Sequence, residues 1–133
     1  MARWIHFPRS AEPSYLGFAT AGIFQAVADE ISSPKHELTS NQVLAVLEPK
    51  LRLLGYRVEA GKKKEEKIKV PVFWGFGGAT AHTFDVDAWH EDDRAVLEVE
   101  AGRGYTNNQF LKDLFEACMM PTVDFLIIAV REE

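Results

Sequence analysis

Between residues 82 and 102 the chain reads HTFDVDAWHEDDRAVLEVEAG, and four of its acids, Asp85, Asp87, Glu98 and Glu100, alternate with apolar residues on either side of an acidic turn. Alternation at every second position is the period of a β-strand, whose successive side chains point to opposite faces. If the turn is centred between Asp92 and Asp93, Asp87 lies opposite Glu98 and Asp85 opposite Glu100, and all four carboxylates share one face of a hairpin. The other face then carries Phe84, Val86, Ala88, Ala95, Leu97 and Val99, an apolar surface for helices. A three-residue loop in place of this turn would shift the register and send the two acid pairs to opposite faces.

Like charges directly opposed across a sheet are destabilising. Pointing into water relieves them, and two chemical devices do so as well: one carboxyl keeps a proton at a raised pKa, or a divalent cation binds between them. A dense set of oxygen donors favours a hard ion, Mg²⁺ with Mn²⁺ as its substitute. In this register His82 and His90 fall on the opposite face and no cysteine is near, which argues against zinc.

The elements that must position these acids can be read from periodicity. Residues 12–31 carry Leu16, Ala19, Ile23, Val27 and Ile31 at helical spacing, with Pro13 near the start, where a helix tolerates proline. A second helix begins at Thr39, whose spacing to Gln42 is that of a capping box; Val43, Leu47, Leu51 and Leu54 form its apolar stripe and Gly55 its stop. Pro49 is expected to kink or split it. Residues 56–60 and 67–73 read as strands, the second an edge strand because of Pro71, and the glycine-rich 73–81 as a turn. After the acidic hairpin, Thr106 and Gln109 again have capping-box spacing. They open a helix to Pro121 whose predicted buried face is Phe110, Leu111, Leu114, Phe115 and Cys118. The apolar run 123–131 is expected to be a strand covered on both faces. The fold class is therefore α/β, a mixed β-sheet flanked by helices.

Length and composition suit one domain over residues 1–133, with 1–38 as an N-terminal helical extension and 39–133 as the core. The lone Cys118 cannot form an internal disulfide and reads as a buried thiol in a cytoplasmic protein. Neither a signal peptide nor an apolar run of the roughly 20 residues that span a bilayer is visible, so no membrane partner is expected. A net charge of −5 speaks against an all-over basic nucleic-acid binder. The segment GKKKEEKIK at 61–69 nevertheless concentrates lysine, either as a solvated turn or as an edge that contacts phosphate.

Asp87 on one strand, followed after a hairpin by Glu98-Val99-Glu100, resembles the motif of the restriction-endonuclease-like, or PD-(D/E)XK, nuclease superfamily. The family's core order of helix, three strands, helix and strand is similar to that expected for residues 39–133. The resemblance implies metal-dependent hydrolysis of phosphodiester bonds, in DNA first of all. Asp87 and Glu98 would hold Mg²⁺ or Mn²⁺, the backbone carbonyl of Val99 would be a further ligand, and Glu100 would orient or help deprotonate the attacking water. Most family members carry Lys at the position of Glu100. Asp85 competes with Asp87 for the first acid, and Glu48 is the candidate for an acid from the first core helix. Lys62, Lys63, Lys64, Arg103 and Asn108 are the candidate nucleic-acid contacts, and Trp89 shares the acidic face, where it could pack beside a base or sugar. A homodimer would bring two such sites to a duplex. The alternative is a catalytically inactive domain of the same architecture, acting as a nucleic-acid- or protein-interaction module.

Overall fold

The computed structural model describes residues 2–32, 38–59, 67–101 and 109–131. The Ser14 hydroxyl accepts the Gly17 amide hydrogen at 3.0 Å and so starts α1 (Tyr15–Ala26). The helix expected to run unbroken to Ile31 stops at Val27, where φ is −108°, and resumes as the single turn α2 (Ala28–Ile31). α3 (Ser40–Leu54) opens with the predicted capping box: Gln42 Oε1 accepts from the Thr39 amide at 2.8 Å and Thr39 Oγ1 accepts from the Gln42 amide at 3.3 Å. Of the two outcomes expected at Pro49, a kink or a split, the split does not occur: the helix runs through it. Its missing N–H leaves the Ala45 carbonyl without an intrahelical partner, but Ala45 and Pro49 both lie on the exposed side, where water can replace the bond.

The strands follow as β1 (Arg57–Val58), β2 (Ile68–Trp74), β3 (Thr80–Val86), β4 (Ala88–His90) and β5 (Ala95–Glu100); then come α4 (Gln109–Met119) and β6 (Phe125–Val130). A four-stranded sheet has the order β1-β4-β5-β6, with β1 and β5 antiparallel to β4 and with β6 parallel to β5. Parallel neighbours need a crossover, and α4 is that crossover. Among the described residues β2 and β3 pair only with each other, as an antiparallel hairpin closed by a 3-10 turn at Phe76–Gly78. The strand expected over residues 67–73 thus lies outside the main sheet.

Two cores sandwich that sheet. On one face Leu16, Leu47, Leu51 and Tyr56 pack against Ala88, Ala95, Leu97 and Val99. On the other, Ile68, Val70, Val72 and Val86 of the hairpin join Val96 of the sheet and Ala117 and Met120 from the end of α4. The N-terminal helix thus shares a core with α3 and the sheet. Thr20 and Tyr56 exchange a buried 2.8 Å hydrogen bond, and burial pushes the Tyr56 phenol up to about 12.

Three further expectations are corrected. The first strand of the acidic hairpin breaks at Asp87, which sits in a bend between β3 and β4. β6 is half-buried and lies at the sheet edge among the described residues, not covered on both faces. α4 turns its large apolar side chains outward: Phe110, Leu111, Leu114 and Phe115 are exposed, as is the Cys118 thiol that was expected to be buried. Its buried positions are Asp113 and Ala117.

Gly55 ends α3 in the left-handed region at φ 104°, as its position after the apolar stripe predicts. A Cβ there would come within 2.7 Å of His90 Nε2. That ring is fixed from two sides. The Asp93 amide donates to Nδ1 at 3.2 Å, so Nε2 carries the hydrogen and donates to the Leu54 carbonyl at 3.0 Å. Gly55→Ala is therefore expected to lower unfolding stability by about 1–3 kcal/mol, measured by urea denaturation; an unchanged midpoint would show that the junction yields.

Candidate metal centre

The register predicted for the acidic hairpin holds across its core, with Ala88 opposite Leu97, Trp89 opposite Val96 and His90 opposite Ala95. The turn between these strands is anchored by Arg94, which adopts φ 54° and whose guanidinium pairs with Asp124 at 2.7 Å. The Arg94 carbonyl accepts the amides of Asp124 and Phe125, tying the hairpin to the start of β6. Side chains therefore alternate as expected on β5: Leu97 and Val99 enter the helix-covered core, while Val96 faces the hairpin and α4. Glu98 and Glu100 share the parity of Val96 and turn to the α4 side.

Asp87 reaches the same place from the bend. Its Oδ2 accepts the Val99 amide hydrogen at 2.8 Å, and its backbone carbonyl accepts from Glu59 at 2.8 Å. Val99, expected to lend its carbonyl to a metal, is thus seen fixing Asp87 through its N–H. The Glu98 carboxyl hydrogen-bonds to Asp87 and is pushed up to about 10, first by burial and then by the Asp87 charge, so the pair holds a proton at neutral pH. Burial also raises Asp87, against the opposing pull of its Val99 hydrogen bond.

Asp113, not anticipated from the sequence, completes the group from α4. It is only 5% exposed, hydrogen-bonds to Glu100 and receives the Gln109 side chain. Burial raises both Glu100 and Asp113; the Asp113 charge raises Glu100 further, while Lys112 lowers both. Asp113 Oδ2 is buried without any hydrogen-bond partner. Its sequence signal was its place four residues before Ala117, on what proves to be the inward stripe of α4. That signal was masked by the larger apolar residues on the other stripe.

The remaining candidates lie elsewhere. Asp85 stands in the separate hairpin opposite Lys69, with its carboxylate 4.0 Å from Lys67 Nζ, so it does not face Glu100 as expected. The strand break at Asp87 removed it from the sheet. Glu48 meets Arg52 one helical turn on, at 2.8 Å. Trp89, paired with Val96, does share the sheet face of Glu98 as expected; its ring lies under the Arg57 guanidinium, 5.7 Å from it, and packs against the hairpin core. Lys62, Lys63, Lys64, Arg103 and Asn108 lie outside the described residues.

The arrangement is thus two hydrogen-bonded carboxyl pairs, Asp87 with Glu98 and Glu100 with Asp113. Among the described residues no group of three or more His, Cys, Asp or Glu side chains is placed to hold a metal ion. The donor chemistry still fits a hard cation, because the donors are all oxygens, they are partly or wholly buried, and one buried carboxylate oxygen lacks any partner. Among the described residues no helix is long and apolar enough to cross a membrane. No family model, no curated protein and no solved structure matches the chain.

Proposed function

We propose that the chain is a metal-dependent nuclease with a restriction-endonuclease-like core, hydrolysing phosphodiester bonds and most readily those of DNA. The observation that carries this reading is the half-buried Asp87–Glu98 pair, locked by the Val99 amide with Glu100 next on the same face. Burying two carboxyls against each other costs stability unless a proton or a cation intervenes, and a fold that retains the pair gains a cation site from it. Further support comes from the connectivity: α3, then β1, β4 and β5 as antiparallel neighbours, then α4 and the parallel β6. That is the order expected of such a core, with the β2–β3 hairpin as an insertion.

In this reading Asp87 and Glu98 hold Mg²⁺ or Mn²⁺, and Glu48 is left to its ion pair. Bound there, the cation would neutralise charge growing on the phosphoryl oxygens and lower the pKa of a bound water. The Val99 amide keeps Asp87 oriented without solvent reorganisation. Glu100, at the more open end of β5, orients the attacking water and takes its proton; burial and Asp113 raise its basicity above that of an ordinary carboxylate.

A second reading, a non-catalytic interaction module, is favoured by one observation: α4 presents Phe110, Leu111, Leu114 and Phe115 outward, an apolar face suited to a partner. Labelled single- and double-stranded DNA and RNA, incubated with the purified chain and Mg²⁺, Mn²⁺ or EDTA, separate the two. Metal-dependent cleavage of any of these substrates supports the nuclease and names its substrate class. Binding without cleavage under every condition supports the module.

A further inference from the structure

We infer that the free edge of β6, with the adjoining flank of α4, is where a second copy of this chain docks, the two β6 strands pairing antiparallel about a two-fold axis at Ile128. The inference goes beyond the nuclease reading and stands whether or not that reading holds.

β6 is an edge without the usual protection. It has no charged residue, no proline and an unbroken register with β5, and among the described residues no strand pairs with its other side. Such an edge is a template for a further strand. Other edges of the molecule are blunted: β1 is two residues long, and β2 carries Lys69, Pro71 and a register irregularity. The unpaired backbone groups of β6 dictate how a second strand can join it. The Phe125 amide donates to the Arg94 carbonyl and the Arg131 amide to the Glu100 carbonyl, so the odd-numbered residues of β6 turn their N–H and C=O groups toward β5. Leu126, Ile128 and Val130 therefore turn theirs outward.

The occupant is a second copy because this edge is complementary to itself. Antiparallel pairing centred on Ile128 sets it opposite the partner's Ile128 and sets Leu126 opposite the partner's Val130, so every outward-facing residue of the strand exchanges its N–H and C=O with another. This register is isologous, and its axis is normal to the sheet, which puts both copies of α4 on one face. Since α4 packs over β5 and β6, the two helices come to lie about two strand spacings apart, roughly 10 Å, which is the packing distance of helices. The right-handed crossover sets one flank of α4 toward the hairpin and the other toward the free edge. Met119 turns to the hairpin core; Phe110 and Leu114, roughly half a turn around the helix from it, are exposed on the edge side, with Leu111 beside them. Together with Phe125 and Val130 at the edge they expose on the order of 400 Å² of apolar side chain. The half-buried Leu126 and Ile128 and the backbone edge add to it, and a standard interface takes about 800 Å² per partner, about two-thirds of it apolar in homodimers. A strand without charge is also where two chains of net charge −5 can approach.

The test is sedimentation equilibrium of the full chain in EDTA and without nucleic acid, comparing wild type with Val130→Pro and Leu114→Lys. The Val130 N–H turns outward, so a proline there leaves the β5–β6 ladder intact and removes a bond to the second copy. Leu114 is exposed in the single chain, where a lysine is tolerated but two of them across the axis repel. Wild type is expected to run as a dimer, and each variant to weaken that dimer by at least about tenfold while keeping its circular dichroism. A wild type that stays monomeric at every soluble concentration would overturn the inference, as would a dimer that either variant leaves intact. Amide hydrogen exchange of the wild type covers the case in which a variant does not fold. Exchange at Leu126, Ile128 and Val130 should slow as protein concentration rises, and rates that do not change contradict the pairing. None of these readouts involves metal or cleavage, so failure here leaves the nuclease reading where it stood.

Discussion

Replacing Glu98 by glutamine is expected to leave a folded chain that has lost metal-dependent cleavage. Burial and then the Asp87 charge push the Glu98 carboxyl up to about 10, which favours a protonated Glu98 beside Asp87 at neutral pH. A glutamine amide occupies the same volume and donates to Asp87 in the same way, so it reproduces the protonated state permanently. The metal-free fold should therefore be unharmed. What the substitution removes is the ability to become a carboxylate when a cation arrives, and with it the charge that would hold the cation beside the phosphoryl group. Losses on removing a single group that stabilises transition-state charge run to about 10²–10³-fold in rate, and at least that is expected here. Asp87→Asn should match it, because Asp87 stands opposite Glu98 and is held there by Val99. Normal thermal unfolding of Glu98→Gln combined with undiminished cleavage would place the reaction elsewhere.

In EDTA, stability should fall as pH rises above the acid range, the reverse of the usual behaviour of proteins held by ion-paired carboxylates. An unperturbed glutamate titrates near 4.5, and burial followed by the Asp87 charge pushes Glu98 up to about 10. Between those values the native chain keeps a proton that the unfolded chain has released. Raising the pH then favours unfolding by up to about 1.4 kcal/mol per unit for this one proton. Its contribution is complete below about 4.5 and is lost as pH approaches the folded value of about 10. Asp87, Glu100 and Asp113 are raised as well and add to the same trend; Glu59 and Glu116 press in that direction, while Lys112 opposes it. Urea midpoints measured from pH 5 to 9 in EDTA should decline for wild type and decline less for Glu98→Gln, with the variant the more stable at the alkaline end. Parallel profiles for the two would show that Glu98 does not hold the proton.

Much of this site was legible because strand alternation and hairpin register are local. The pairing of Ala88 with Leu97 and His90 with Ala95 follows from the turn alone, and it fixes Glu98 and Glu100 on one face. Likewise the Thr39 to Gln42 capping box and the Gly55 stop depend only on neighbours a few residues away. What could not be read depended on tertiary partners. β3 and β4 look like one strand, but β3 follows β2 into a separate hairpin and the chain bends at Asp87, which carries Asp85 away from Glu100. The stripe of Phe110, Leu114 and Phe115 on α4 is the larger and more hydrophobic one, yet the helix turns Asp113 and Ala117 inward, over a sheet face that carries carboxyls. Periodicity identifies that α4 is amphipathic; it does not say which stripe meets the sheet when the sheet itself is acidic.

As proposed, the acids of the bend and of β5 would hold the cation needed for phosphodiester hydrolysis. The most direct test is cleavage of labelled duplex DNA by the purified chain with Mg²⁺ and with EDTA, beside Glu98→Gln at equal concentration. Cleavage by the wild type in Mg²⁺ alone, and none by the variant, is the expected result. Cleavage that persists in EDTA, or that Glu98→Gln retains, would contradict it.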